Sequence, residues 1–509
     1  MGKASRRANR EEIKAKARQR KRAQKELGRK QEEEGLKRAS HATIANRKSG
    51  YKSVEEEGLA RNEAAWEQLK VFRGQLPVLL RRLSAIPDPR TAKKTKHKLS
   101  VLLMLGILSF VLQMASSREV TREMSRPMLW ENLKALFPEL EETPHHDTLK
   151  RVLSQIEVDQ IASVQLELIR KWIRNKKFSR YLVNNCYPVA VDGTQKMARG
   201  WLWDEECLQR TFNRGQSAEQ TQYYVYVLQA NLAFSGGMSI PLMSEFLCHT
   251  QGDSHRSKQD CELKAFYRLA ARLKEAFPAL RIMLLLDGLY ANGPVMELCR
   301  RNKWQYMIVL KDDALPSTVK EFQALARLEP KNRHFQTWGG RQQRFRWANR
   351  IEYSFGANGR KREIVNVVEC LESWQEIGNQ GCDVVEKTSR HLWLSSEPLD
   401  RWNLHERCNL GARSRWGVET GFLVEKHHGY QYEHCFSHDW NAMKGFHYLM
   451  QLGHMFNIMA RYSEKIARII RETGVRGLIR LVRETIASPW LNQAWIREQI
   501  AAPFQLRLT

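Results

Sequence analysis

Apolar residues recur at spacings of three and four through VFRGQLPVLLRRL (71–83) and through DTLKRVLSQIEVDQIASVQLELIRKWI (147–173). The pattern predicts amphipathic helices over both, the second N-capped by Asp147. Between them, Leu99 to Ala115 (LSVLLMLGILSFVLQMA) carries no charge. It stands at the minimum length for spanning a bilayer and contains Ser, Gly and Gln, so a buried core helix is expected; the basic leader KKTKHK is the feature that favours a membrane segment. The period then changes. YPVAVDG reads as a short strand ending at Asp192, and QYYVYVLQANLAF and MSIPLMSEFL read as two strands of a hairpin around Gly236-Gly237. An amphipathic helix (CELKAFYRLAARLKEAF), an apolar strand (RIMLLLDG) ending at Asp287, a helix (ANGPVMELCRRN) and a strand (WQYMIVL) follow.

Three strands, helix, strand, helix, strand is the order of a ribonuclease-H-like α/β fold, a mixed sheet with helices on both faces that lacks only its closing helix. Strand-like pieces joined by Gly339-Gly340 and Asn358-Gly359 predict a β-rich insertion over 313–405. The closing helix is expected in ARSRWGVETGFLVEKHHGY, followed by one further helical segment, MKGFHYLMQLGHMFNIMARYSEKIARII. The expected organisation is a basic arm (1–70), a helical N-terminal domain for DNA binding or dimerisation (71–180), the first part of the catalytic core (181–312), the insertion (313–405), the end of the core (406–465) and a helical tail (466–509). The arm has too few large apolar residues to build a core; it reads equally as a solvated, partly disordered tail or as a DNA-binding element.

Composition narrows the partners. The 509 residues, 42% of them hydrophobic, suffice for a large core, and the net charge of +27 attracts a polyanion, with nucleic acid the first candidate. Nine cysteines without a CxxC pair suit reduced thiols, and MGKASRRANREE has no apolar segment behind its charges, so a cytoplasmic protein without a secretory signal or membrane anchor is expected.

The chemistry lies in carboxylates. Either Asp-Gly alone reads as an ordinary strand-ending turn. In the expected sheet, however, the strands bearing Asp192 and Asp287 are neighbours, and Glu419 lies on the helix that closes the fold. At 100° per residue Arg415, Glu419 and Lys426 fall within about 40° of one another, flanked by Trp416, Phe422 and Leu423, while Gly417, Gly421 and Val424 lie opposite. Charges inside an apolar stripe must meet a metal, a phosphate or an internal partner; the alternative is a self-satisfied cluster with i,i+4 pairing.

RSRWGVETGFLVEK resembles the C-terminal signature of bacterial insertion-sequence DDE transposases, written Y-x2-R-x3-E-x6-K, with Arg415, Glu419 and Lys426 in its last three places and Ala412 where the tyrosine would stand. LSAIPDPR and HHDTLKRVL are similar to the N-terminal region of the H-repeat-associated transposases, whose first catalytic Asp is followed by Gly, as in VAVDG. The resemblance implies a transposase in which Asp192, Asp287 and Glu419 bind two Mg²⁺ or Mn²⁺ ions, Arg415 and Lys426 hold DNA phosphates, and a homodimer or higher multimer assembles on element ends and target DNA near the nucleoid. A DNA nuclease without strand transfer, or a catalytically idle DNA- or RNA-binding protein, is the alternative.

Lesser candidates have structural alternatives. His427, His428, Tyr430 and Tyr432 would touch DNA or pack the helix end. Glu262 would assist the acids or favour its helix dipole. Cys248, His249, His255 and Cys261 invite zinc without matching a standard spacing. Trp338, Trp347 and Trp393 would hold a flipped base or fill the insertion core.

Overall fold

The computed structural model describes residues 3–36, 48–140, 142–249, 260–378, 381–503 and 506–508. Among them the helices are α1 (Lys3–Glu33), α2 (Val54–Leu83), α3 (Leu99–Val111), α4 (Ser117–Met124), α5 (Pro127–Leu136), α6 (His146–Leu153), α7 (Asp159–Arg174), α8 (Glu262–Ala276), α9 (Gly293–Asn302), α10 (Pro316–Leu328), α11 (Trp416–His427), α12 (Trp440–Arg461), α13 (Glu464–Ile486) and α14 (Gln493–Ala501). The strands are β1 (Tyr187–Arg199), β2 (Leu208–Phe212), β3 (Gln220–Ala233), β4 (Ser239–Leu247), β5 (Ile282–Leu286), β6 (Gln305–Val309), β7 (Arg333–Trp338), β8 (Arg341–Phe355), β9 (Lys361–Ile377) and β10 (Val384–Ser395). The chain is thus a mixed α/β protein. It divides into two compact units, one of Met1–Ala42 and Met283–Ala412, the other of Thr43–Ile282 and Arg413–Thr509.

The second unit is built around α3, every residue of which is buried, as its uncharged sequence requires. α12 lies along it and is buried nearly throughout. The two helices approach closely because Gly453 has no side chain: a Cβ there would stand 2.6 Å from Phe110 Cβ and 3.1 Å from the Val111 nitrogen. Phe72 of α2 packs edge-on against Phe137 and Phe456, and Trp172 of α7 meets Phe456 from another side. In the same unit β1, β2 and β4 all pair antiparallel with β3. Among the described residues no helix is long and apolar enough to cross a membrane.

In the first unit β5 and β6 run parallel, joined through α9, and β10, β9, β8 and β7 continue antiparallel. The turn signals fall where expected, Gly339-Gly340 between β7 and β8 and Asn358-Gly359 between β8 and β9. Carboxylates buried in this sheet are matched by arginines: Glu369 pairs with Arg346 and, at 2.7 Å, with Arg390, while Glu372 takes Arg341 at 2.7 Å and Gln343 Nε2 at 2.6 Å.

Several expectations need correction. β1 does not end at Asp192 but runs on to Arg199, because the polar continuation TQKMAR keeps its pairing with β3. β2, with four exposed residues of five, was hidden by its polarity. The insertion begins with α10, whose Val319 and Phe322 are buried. The arm, expected to be partly disordered or helical, forms a helix over Lys3–Glu33, and the end of that helix is fastened: Leu27 and Gln31 are buried, and Gln31 donates to the Gln375 carbonyl at 2.9 Å. α2 starts at Val54, well before position 71, since buried Ala64, Ala65 and Leu69 supply the apolar contacts that larger residues were expected to provide. The single long helix near the C-terminus is two, broken at Ser463.

Candidate active site

α11 sits on β1, β3 and β4 by its glycine side. A Cβ at Gly417 would meet Ala233 Cβ at 3.3 Å and one at Gly421 would meet Asn231 Nδ2 at 3.2 Å, so the two glycines set how near the helix comes to the strands. Val418, Gly421, Phe422 and Glu425 are its buried residues. This departs in part from the expected orientation, since Phe422 is buried as expected. Trp416 and Leu423, read as part of a core-facing stripe, are 62% and 55% exposed. Arg415, Glu419 and Lys426 lie at the edge of the buried face, where a side chain can be held by the protein and still reach solvent.

Arg415 is itself buried and joins two of the expected acids. Its Nη2 lies 2.8 Å from Glu419 Oε1, and its Nη1 lies 3.9 Å from Asp192 Oδ2. Asp192 stands in mid-strand on β1, opposite Gln229 of β3, and its Oδ1 accepts from the Gly193 amide at 2.9 Å. Burial pushes the Asp192 carboxyl up to about 6; the Gly193 amide and Arg415 pull it down, while Glu419 and Glu262 push it further up. Glu262, at the start of α8, accepts from Tyr226 Oη at 3.2 Å, and the Tyr226 ring fills the space above Gly193. Asp192 of β1 and Glu419 of α11 therefore share a single guanidinium, and Glu262 of α8 acts on Asp192 from the other side of Tyr226.

Asp287 is placed in the other unit, at the end of β5, where its Oδ1 accepts from the Leu289 amide at 2.9 Å as a helix-cap residue does. Lys426 is not part of the Arg415 cluster; it pairs with Glu433 at 3.0 Å. His427 and His428 are exposed at the end of α11. Tyr430 and Tyr432 are buried, which removes them from stacking on a nucleic acid and makes them helix-end packing.

Of the other candidates, His255 lies outside the described residues, Cys248 is buried with its thiol toward the Phe246 carbonyl, and Cys261 is exposed. Among the described residues no group of three or more His, Cys, Asp or Glu side chains is gathered closely enough to hold a metal ion. Trp347 and Trp393 are core residues of the insertion.

Glu425, unremarked in the sequence, anchors α11 from below. It is buried, accepts from Gln451 at 3.1 Å and meets His454 Nδ1 at 2.7 Å. The signal was available: 100° per residue puts Glu425 on the same face as Gly421, and an acid on a glycine-lined packing face needs an internal partner.

Residues 80–172 match the family described as DDE_Tnp_1-associated. The match runs from the end of α2 to α7 and includes both N-terminal segments, LSAIPDPR and HHDTLKRVL, on which the sequence resemblance rested. It supports a protein related to DDE-type transposases, and the matched part is the region associated with the catalytic one. No curated protein matches the chain.

Proposed function

We propose that the chain is a DDE transposase that cleaves DNA at the ends of an insertion sequence and joins the freed 3′ ends to a target. The observation that carries the reading is the gathering of Asp192 and Glu419 around Arg415, two acids 2.8 Å and 3.9 Å from one guanidinium although they lie on elements far apart in the chain. The order of strands and helices, with β1, β3 and β4 antiparallel and β5 parallel to β6, supports a ribonuclease-H-like core. Asp287 enters as the third acid on the sequence reading, from its strand-end position in the expected sheet and from the resemblance.

The donor set suits Mg²⁺ or Mn²⁺, since both are hard ions that prefer carboxylate oxygen, and the raised Asp192 carboxyl sits among acids whose mutual repulsion a dication would relieve. Asp192 and Glu419 would hold the ions; when bound, these supply charge to the attacking and leaving oxygens of phosphodiester exchange. Arg415 has two tasks. It keeps Glu419 in position while the acids are apart from metal, and its fork offers a bidentate contact to a phosphate that displaces the carboxylate. The Gly193 amide holds Asp192 Oδ1, and the Tyr226 ring fills the space above Gly193. Glu425 holds α11 against the strands and so fixes the height at which Glu419 stands.

The test is incubation with a plasmid carrying the coding region and its flanking DNA on both sides, with Mg²⁺ or EDTA. Cleavage at the borders that needs the metal, and falls at least about 10³-fold in Asp192→Asn and Glu419→Gln, is the expected result. Undiminished cleavage by either variant overturns the reading.

A further inference from the structure

The C-terminal end of α11 meets a basic face of α13. Arg476 Nη2 donates to the His427 carbonyl at 3.3 Å and lies 3.0 Å from His428 Nδ1. From Arg476 the helix places Arg480 and Arg483 at i+4 and i+7, within about 60° on one side, while Leu478, Val482 and Ile486 are buried on the other. Beside this face a cleft of about 360 Å³ is lined by Arg126, Arg476, Arg480 and Arg483, with only Glu123 and Glu484 as acids. Arg483 is spoken for by Glu119, and Arg126 by Glu123 at 3.0 Å. Arg480 is 79% exposed and reaches Glu484 only at 3.9 Å, and Arg476 has no carboxylate within ion-pair distance among the described residues.

Arg476 caps the last carbonyls of α11 and contacts the His428 ring, and this leaves its positive charge uncompensated by any carboxylate among the described residues. Burial, then the charges of Arg476 and His427, hold the His428 imidazole below its usual range. The spacing also matters: eight residues separate Glu419 from His427, about 12 Å along the helix, or roughly two to four phosphates of a backbone lying along it. The face opens on the region that carries the DDE_Tnp_1-associated match, to which Leu112, Gln113 and Arg126 belong.

We propose that His427, His428, Arg476 and Arg480 form a track for the sugar-phosphate backbone of duplex DNA, extending from the end of α11 onto α13. The proposal rests on the transposase reading for its choice of polyanion. Duplex DNA fits better than a small anion because the donors are strung along two helix surfaces, with exposed heads, and do not close around one point.

The experiment measures equilibrium binding of a fluorescent duplex carrying the flanking DNA, in EDTA so that cleavage plays no part, over a series of salt concentrations. Arg480→Glu leaves the cap on α11 intact; Arg476→Gln removes the fork; Arg327→Ala with Arg360→Ala, exposed residues of the other unit, controls for lost charge. Expected is roughly tenfold or weaker binding for each track variant, with the slope of log K against log salt shallower by about 0.9 per lost contact, and a wild-type slope for the control. Wild-type affinity and slope in both track variants, or an equal loss in the control, overturns the proposal while metal-dependent border cleavage by the wild type stands. Binding that depends on the track in a protein that never cleaves DNA supports it and removes the catalytic reading instead. A wild-type protein that does not bind DNA removes both.

Discussion

The Arg415 guanidinium lies 2.8 Å from the Glu419 carboxylate, one helical turn along α11, and the same group stands 3.9 Å from Asp192. Its removal leaves two acids facing each other with less cation between them. Arg415→Ala is expected to lower border cleavage about 10²- to 10³-fold. Arg415→Lys, which keeps the charge but not the planar fork, should recover only part of that. Single-turnover rates at saturating DNA decide; a lysine variant as fast as wild type would show that charge alone suffices.

Glu425 and His454 test the anchoring of α11. Both are buried, at 2.7 Å, with Gln451 sharing the carboxylate. Glu425→Ala strands two polar partners in the interior and should cost about 3–5 kcal/mol of stability, whereas Glu425→Gln keeps hydrogen-bonding capacity and should cost less. Urea unfolding monitored by circular dichroism gives both numbers. Equal midpoints for the two variants would show that the hydrogen bonds contribute little.

His146 predicts acid lability. Its ring stacks on Phe446 at 5.4 Å and its Nδ1 is buried without a hydrogen-bond partner among the described residues. Burial lowers its pKa from 6.5 to about 4. The unfolded chain therefore binds a proton between those values that the folded chain refuses, so the contribution is complete above pH 6.5 and is lost as pH falls through the window to about 4. The loss is roughly 3 kcal/mol. The difference in unfolding free energy between wild type and His146→Phe, followed from pH 7 to pH 4, should shift by that order in favour of the variant; a constant difference refutes the assignment.

Two glycines in helices should respond oppositely to alanine. At Gly453 the new methyl would press on Phe110 and on the backbone of α3, and about 1–3 kcal/mol should be lost. At Gly28 of α1 nothing lies within 4 Å, so helix propensity alone acts and stability should hold or rise by up to about 1 kcal/mol. Thermal melting of the two variants makes the comparison.

Which features could be read from the chain follows from how local their cause is. α3 was legible because thirteen buried residues with no charge admit few other fates. The β7–β8 and β8–β9 turns were legible because Gly339, Gly340 and Gly359 take positive φ, as Asn358 does. The length of β1 was not, since Asp-Gly is a turn signal whose effect here is overridden by pairing with β3, a partner more than thirty positions away for Asp192 and Gln229. The spacing of Arg415, Glu419 and Lys426 was visible, but which side of α11 meets the strands was not. Apolar residues mark a buried face only when the helix needs them for contact; here glycines make the contact, and Trp416 and Leu423 are left in solvent.

α3 packs against α12, and the residues of the first unit from Met283 to Ala412 are encoded between the two. During synthesis the oily segment emerges long before α12, the helix that packs along it. A chain that ends before residue 440 would leave the α12-facing side of this oily helix uncovered, prone to clump or to be captured by chaperones. Chains cut before α12 should therefore be cleared by the cell instead of accumulating.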